Sequence, residues 1–528
     1  MLLSYDREQG ATANIDMNAI AEPSSWYETT QVEDQRRPRL NFDLDVDVCV
    51  IGGGFAGLTT AREVARRGWS VAVLEASRIA RAASGRGMGF VMPGFAEDID
   101  PMVERIGLDH AKQLWALSQR GVDYVRSAIA ETAMPGVEPA DGWLHVSKTD
   151  NWRGVRAYVE RLRWIGGDVE AWPADRVRQV LPSERYFCAV NYPGAFHIHP
   201  LNYAIGLARA AEADGARIFE ETPAVEIDSA GVRKRVQTPA GRVRAGHVVL
   251  AANVQLGALM PRLGATLMPM TSYVMVTEPI AGLSEVIRYR GAVTDSNRFD
   301  NHYRAIADAS GERLQWSGRM TVWQASPRGF GRALAASVKR AFPQLGPVTV
   351  AHLWSGTFGR TLHHMPQIGE IQPGVWVASG FGGHGLNTTA LAGELVARGI
   401  VENDQTWRLF TPYELVWAGG KAFRAVAQTI YVASRSIAAV KASLARQRER
   451  SRKRGDAKGQ ALAQARRVAA AKPVESVAAP DGSTVGESAQ PSATAQARGT
   501  SKRSPTASLL PVPALVPGDT DPADRQPD

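Results

Sequence analysis

Three glycines spaced G-x-G-x-x-G, Gly52, Gly54 and Gly57, with a carboxylate following at Glu75, are the residues of this sequence whose types and spacing most directly suggest chemistry. The first glycine permits a tight turn, the second lets the backbone approach a pyrophosphate, and the third lets the next helix pack close to the preceding strand. A helix starting at such a turn aims its free amides at the phosphates, and an acidic residue about 20 positions on accepts hydrogen bonds from ribose hydroxyls. The glycines alone would suit a ligand-free turn equally well, so the flanking elements decide. Val46, Val48, Val50 and Ile51 make a short β-branched strand, and Leu58, Ala61 and Ala65 give the helix a small apolar face. Gly68 ends that helix, and Val71, Val73 and Leu74 form a second strand that finishes at Glu75. Strand, turn, helix, strand and acid agree, so residues 45–75 read as a dinucleotide-binding unit. Its expected cofactor contacts are Gly52, Gly54, Phe55, Ala56, Gly57, Glu75 and Ala76.

Two further glycine-rich stretches can hold a flat, charged ligand. The first is ARAASGRGMGF at 80–90, where Ser84, Arg86 and backbone amides can converge on phosphate or ring oxygens. The second is VWVASGFGGHGLNTTALAGELVARGI at 375–400, a strand, a glycine loop and a helix. There Gly380, Gly382, Gly383 and Gly385 let the loop press on a ring. The helix, expected from Thr388, directs a partial positive charge at it. His384 sits inside this loop.

Composition bounds the alternatives. At 528 residues, 44% hydrophobic and 22% charged, the chain suits a globular protein of two or more domains. Its two cysteines, Cys49 and Cys188, make no disulfide framework and favour a cytoplasmic setting. The formal charge of +8 is concentrated toward the C-terminal end, so nucleic-acid binding would belong to the tail and not to the folded body. There is neither an apolar run of bilayer-spanning length nor a signal-peptide pattern, and no metal-ligand spacing stands out.

The pairing of DVCVIGGGFAGL…VAVLEA with ASGRGMG resembles the FAD-dependent amine and amino-acid oxidoreductases of the D-amino-acid oxidase, glycine oxidase and sarcosine oxidase type. The SSWYETT stretch at 24–30 is similar to the leader of the gamma-glutamylputrescine oxidase-like branch. The family's second motif usually reads ASGRNGG, so Gly87 and Met88 are departures, as are His363 or His364 where an acidic residue is common. The resemblance implies FAD, and because neither Cys49 nor Cys188 falls in a segment where a covalent flavin link would sit, dissociable FAD is expected. It adds Val225 as the backbone contact to adenine, and Gly380, Gly383, His384, Gly385 and Leu386 as contacts to the flavin.

The implied architecture is α/β: a Rossmann-type FAD domain interleaved with an α+β substrate domain on an antiparallel sheet, then a C-terminal helix and a disordered tail. Residues 1–44 form an N-terminal extension. The FAD domain takes 45–100, 199–260 and 354–412, and the substrate domain takes 101–198 and 261–353. One helix is expected over 101–133. The strand-rich region 265–350 should roof the flavin, with Tyr273, His302, Tyr303, Arg304 and Arg319 as its polar groups. Among them His302, Tyr303 and Arg304, together with His384, are the candidate catalytic residues.

The chemistry implied is oxidation of a C–N bond by hydride transfer to flavin N5, giving an imine that water hydrolyses. Arg304, Arg319 or Arg360 could pair with a substrate carboxylate. No lysine occurs between residues 235 and 338, where some relatives carry an oxygen-activating lysine, which leaves a quinone or carrier protein open as the acceptor beside O2. A catalytically altered flavin-binding scaffold, and nucleic-acid binding through the basic tail, are the alternatives.

Beyond Pro412, Phe423, Val426, Ile430, Ala433, Ile437, Val440 and Leu444 recur at steps of three and four. They predict a basic amphipathic helix over 413–454 whose stripe packs on the body or a partner, or lies on the inner face of an anionic membrane. Residues 455–528 read as a disordered tail.

Overall fold

The computed structural model describes residues 25–257, 259–295 and 301–470. The expected disorder of the tail falls, from residue 471 on, outside the described residues. Two sheets organise the chain. In the first, β-branched runs form parallel strands in the order Val375–Ser379, Arg242–Leu250, Leu44–Ile51, Val71–Leu74 and Arg217–Phe219, with Gln367–Gln372 antiparallel at one edge. Val48, Cys49 and Val50 are fully buried at its centre, as a parallel sheet covered on both faces requires. The helices Phe55–Arg66 and Gly385–Val401 pack on this sheet and on one another. Their approach is close because Gly393 faces Thr59, where a Cβ would come within 2.6 Å of the threonine side chain.

The second sheet takes Val350–Arg360, Met268–Thr277, Gly311–Thr321, His302–Asp308, Ala292–Asp295, Ala140–Val146, Ala189–His197 and Phe90–Val91 in that order. Its pairings are antiparallel apart from Ala292–Asp295 against Ala140–Val146, which run parallel. One face buries Tyr303, Trp316, Leu314 and Phe342 in a core of its own, where each large side chain removed from water is worth about 1.5–3 kcal/mol. The expected boundary at 354 falls inside the strand Val350–Arg360, which pairs along its length with Met268–Thr277.

Other boundaries also move. The helix expected over 101–133 is two, Ile99–Ile106 and Leu108–Thr132, because Gly107 takes φ +79° between them. The helix expected from Thr388 begins three residues earlier, at Gly385.

The C-terminal helix runs Gly420–Ala470, past the expected end at 454. Its apolar stripe does not pack on the body: Phe423, Val426, Ile430, Ile437, Val440 and Leu444 are all exposed. The opposite face docks instead, through Tyr431, Arg435, the buried Ala442 and an Arg178–Glu449 ion pair at 2.6 Å. Among the described residues no helix is long and apolar enough to cross a membrane.

Candidate active site

The two sheets meet around one cavity of about 580 Å³, a size usual for ligand sites. At one end lies the glycine turn. Gly52 has φ +112°, and a Cβ on it would stand 2.9 Å from the backbone of Ala251. Gly57 is not on the cavity wall; it lies beneath the helix, where a Cβ would sit 1.9 Å from the Gly52 carbonyl oxygen. That is the close helix-to-strand contact for which the third glycine is needed. Gly54, Phe55 and Ala56 line the cavity, and the helix they begin has no side-chain cap.

Glu75 and Ala76 also line this end. The Glu75 carboxylate accepts from the Gly53 amide at 2.8 Å and from the Ser77 amide at 2.9 Å, so it is fixed to the turn at the cavity wall. Val225 is half-exposed and off the wall, its amide donating to the Gln237 carbonyl. Pro223 and Ala224 hold the wall position expected of it.

The middle of the cavity is bounded by two loops. Ser84 Oγ accepts from the Phe55 amide at 3.2 Å, and Arg86 donates to the Ser355 carbonyl at 3.3 Å. In the other loop, Gly383, His384, Gly385 and Leu386 line the cavity at a second helix N-terminus without a side-chain cap, whereas Gly380 is off the wall, with φ +73°. His384 Nε2 faces two carbonyls, those of Met92 and Pro93, at 3.2 and 3.1 Å. Carbonyl oxygens only accept, so Nε2 carries the proton and the ring is held as a donor there. Two helix starts open into one cavity without a capping side chain from their own N-cap residue, and beyond the Phe55 amide held by Ser84 their first-turn amides and positive dipole ends suit an elongated anionic ligand. This donor set fits FAD.

The far end is aromatic. Trp143 stacks on Tyr192 with centroids 4.3 Å apart and lies parallel to His145 at 5.7 Å. Trp143 Nε1 donates to Thr294 Oγ1 at 2.9 Å, and that hydroxyl is 3.1 Å from His302 Nδ1. With its oxygen already accepting from the indole, the threonine can give its own proton to His302, so this chain sets the ring's orientation. Trp143, His145, Tyr192 and Thr294 were missed at the sequence level. The alternation of Trp143 and His145 along one strand, two residues apart, was the available signal.

Of the five groups expected on the flavin roof, His302 and Arg319 line the cavity and three do not. Tyr303 points to the opposite face, stacked on Trp316 at 4.4 Å with its hydroxyl on that of Tyr186. Tyr273 is buried against Phe330, its hydroxyl 2.8 Å from Thr321 Oγ1. Arg304 is buried behind the 84–90 loop, donating to Gln315 Oε1 (2.6 Å), the Ile198 carbonyl (2.7 Å), His197 Nδ1 (2.8 Å) and Tyr27 Oη (3.1 Å). Tyr27 in turn donates to the Gly87 carbonyl at 2.9 Å. The SSWYETT island thus docks through Tyr27 and buttresses the loop from behind.

Arg319 has no carboxylate partner among the described residues. Burial and the neighbouring Arg435 lower its pKa, opposed by Tyr431. Arg360 is also on the wall, with Nη2 2.7 Å from His364 Nε2. His363 faces away, bonded to the Glu414 carbonyl. Neither Cys49 nor Cys188 lies on the wall.

Burial, reinforced by the charge of Arg304, pushes the pKa of His197 and of His199 down to about 3. In the unfolded chain each titrates near 6.5. Between these values the unfolded state binds more protons than the native one, so stability present above about pH 6.5 is lost as pH falls. The slope is at most about 1.4 kcal/mol per pH unit for each histidine. We expect the thermal midpoint to be flat from pH 8 to 7 and to fall steadily below 6.5. His199→Asn, which keeps a helix-capping side chain, should make the fall shallower. A midpoint as high at pH 5 as at pH 7 would count against this.

A model of the family described as FAD dependent oxidoreductase, DAO, matches residues 47–398. The gamma-glutamylputrescine oxidoreductase of Escherichia coli (strain K12) is 31% identical over 409 residues, 76% of this chain and 94% of that protein. A probable oxidoreductase, OrdL, of Haemophilus influenzae is 30% identical over 395 residues, 73% and 90% respectively. Among solved structures, glycine oxidase from Geobacillus kaustophilus superimposes with a TM-score of 0.58 at 22% identity, covering 71% of this chain and 99% of that one.

Proposed function

The chain belongs to the DAO family of FAD-dependent oxidoreductases, and from that premise we propose that it oxidises the C–N bond of an amine that also carries a carboxylate, with a gamma-glutamylated polyamine as the favoured substrate. The observation that carries this reading is the cavity itself. Its lining extends from the glycine turn to the aromatic Trp143 and Tyr192, and it includes Arg319, which has no anionic partner among the described residues. The similarity to gamma-glutamylputrescine oxidoreductase supports the substrate class.

In this reading Gly52, Gly54 and the start of the helix Phe55–Arg66 hold the diphosphate, with Glu75 on the ribose. Ser84, Arg86 and the 383–386 loop hold the ring system. Bound FAD supplies the two-electron acceptor that the protein's own side chains lack. The chain's part is to bind, orient and exclude water. Trp143, Tyr192 and His302 present faces and edges suited to an amine passing between its charged and neutral forms, and Arg319 anchors the carboxylate at a fixed distance from it. The positive end of the helix Gly385–Val401 favours negative charge on the adjacent side of the cavity. The chain has no lysine between 235 and 338, which favours a quinone or carrier protein over O2 as the acceptor.

The test is product analysis. Incubation of the FAD-loaded protein with gamma-glutamylputrescine and a quinone analogue should release ammonia and an aldehyde in equal amounts. Absence of both, across glutamylated amines, D-amino acids and N-methylated amino acids, would reject the reading.

A further inference from the structure

The C-terminal helix lies beyond the family-matched segment 47–398, yet it touches the wall of the cavity. The strand Gly311–Thr321 is paired along one edge with Met268–Thr277 as far as Thr321. Along its other edge, the pairing with His302–Asp308 stops at Ser317. A bulge falls at the same place: Ser317 faces Val274 and Arg319 faces Tyr273, with Gly318 between them. Past Ser317 no described strand pairs with the backbone groups of this second edge.

The helix meets them with side chains. Arg435 Nη1 donates to the Gly318 carbonyl at 2.5 Å, Tyr431 Oη accepts from the Met320 amide at 3.1 Å, and Gln428 Oε1 accepts from the Val322 amide at 3.2 Å. The pairing is antiparallel, 435 with 318, 431 with 320 and 428 with 322. It works because helix positions three and four apart share a face at about 5–6 Å while alternate strand residues repeat at about 6.6 Å. Arg435 also donates to Tyr431 Oη at 3.0 Å, which ties two of the three together. Gly318, Arg319 and Met320 are cavity-lining residues.

We propose that Gln428, Tyr431 and Arg435 are positioning residues for substrate recognition: the C-terminal helix straps the edge of residues 318–322 and so fixes where Arg319 stands in the cavity. This rests on the reading of Arg319 as the carboxylate anchor. Among the described residues no strand lies along this stretch of the edge, and the helix bonds to it instead. It gives the Gly318 carbonyl and the Met320 and Val322 amides side-chain partners, and a wall segment bonded in this way opens less readily.

The experiment uses the full-length, FAD-loaded protein with Gln428→Ala and Tyr431→Phe combined. Hydrogen exchange in the peptide covering 318–322 should speed up about tenfold, with exchange at the glycine turn 52–57 unchanged. The KM for gamma-glutamylputrescine should rise about five- to tenfold, as loss of two neutral hydrogen bonds allows, while kcat and flavin per chain stay within about twofold. Arg435→Lys, which keeps a donor for the Gly318 carbonyl, should return closer to wild type than Arg435→Gln. Wild-type exchange at 318–322 in the double variant would overturn the strap. Faster exchange with an unchanged KM would overturn its role in recognition. Failure of the underlying reading looks different, because then no amine turns over in the wild-type protein, while exchange still reports directly on the strap.

Discussion

Replacing Gly57 by valine should give a folded protein that purifies colourless, with flavin per chain at least about tenfold below wild type. The added Cβ would stand 1.9 Å from the Gly52 carbonyl oxygen and 3.1 Å from Val50 Cγ1. The carbonyl is backbone, so it cannot step aside as a flexible side chain would. The start of the helix Phe55–Arg66 must therefore lift from the strand Leu44–Ile51. Overpacking of this kind costs about 1–3 kcal/mol where the fold can absorb it. A loss of stability that size leaves the domain folded but moves Gly54, Phe55 and Ala56 out of line with the second helix start at Gly385. Bound diphosphate depends on that alignment. Flavin absorbance against protein absorbance after gel filtration reads the result, with circular dichroism checking the fold. Full retention of flavin would mean the glycine turn does not hold the cofactor.

Arg319→Met should lower kcat/KM for gamma-glutamylputrescine by roughly 10- to 100-fold, the effect of losing a charge-assisted bond worth about 1.5–3 kcal/mol. Putrescine, which lacks the carboxylate, is the internal control and should react equally slowly with both proteins. Methionine keeps the length of the stem, so the wall stays filled. Equal losses on the two substrates would assign Arg319 a structural role and shift carboxylate recognition to Arg360. The two guanidiniums differ in surroundings. Arg360 is already bonded to His364, whereas Arg319 has no carboxylate partner among the described residues and feels the charge of Arg435.

The dinucleotide unit was legible because each of its steps is local: β-branched strands, glycines at fixed spacing and an acid at the strand end all lie within 45–75. The cavity's far end was not, since Trp143, Tyr192, Thr294 and His302 converge only when four strands distant in sequence are laid side by side. Tyr303 and Arg304 show the limit sharply. Strand alternation separates 302 from 303 but does not say which faces the ligand. Arg304 was claimed by Tyr27, a partner 277 residues away. Val225 lies just outside the lining, next to Pro223 and Ala224, with its amide bonded to Gln237. The C-terminal stripe was read as the docking face because apolar burial is the usual driver. Here the polar face docks instead, its side chains bonded to the backbone of residues 318, 320 and 322.

The most direct measurement of the central claim is anaerobic mixing of the FAD-loaded protein with gamma-glutamylputrescine, following flavin absorbance near 450 nm, a wavelength set by the cofactor. Loss of the 450 nm band, with one amine consumed per flavin, is the predicted result, and the band should return faster with a quinone than with air. A flavin band left intact by every amine in a panel of glutamylated polyamines, D-amino acids and N-methylated amino acids would contradict the account.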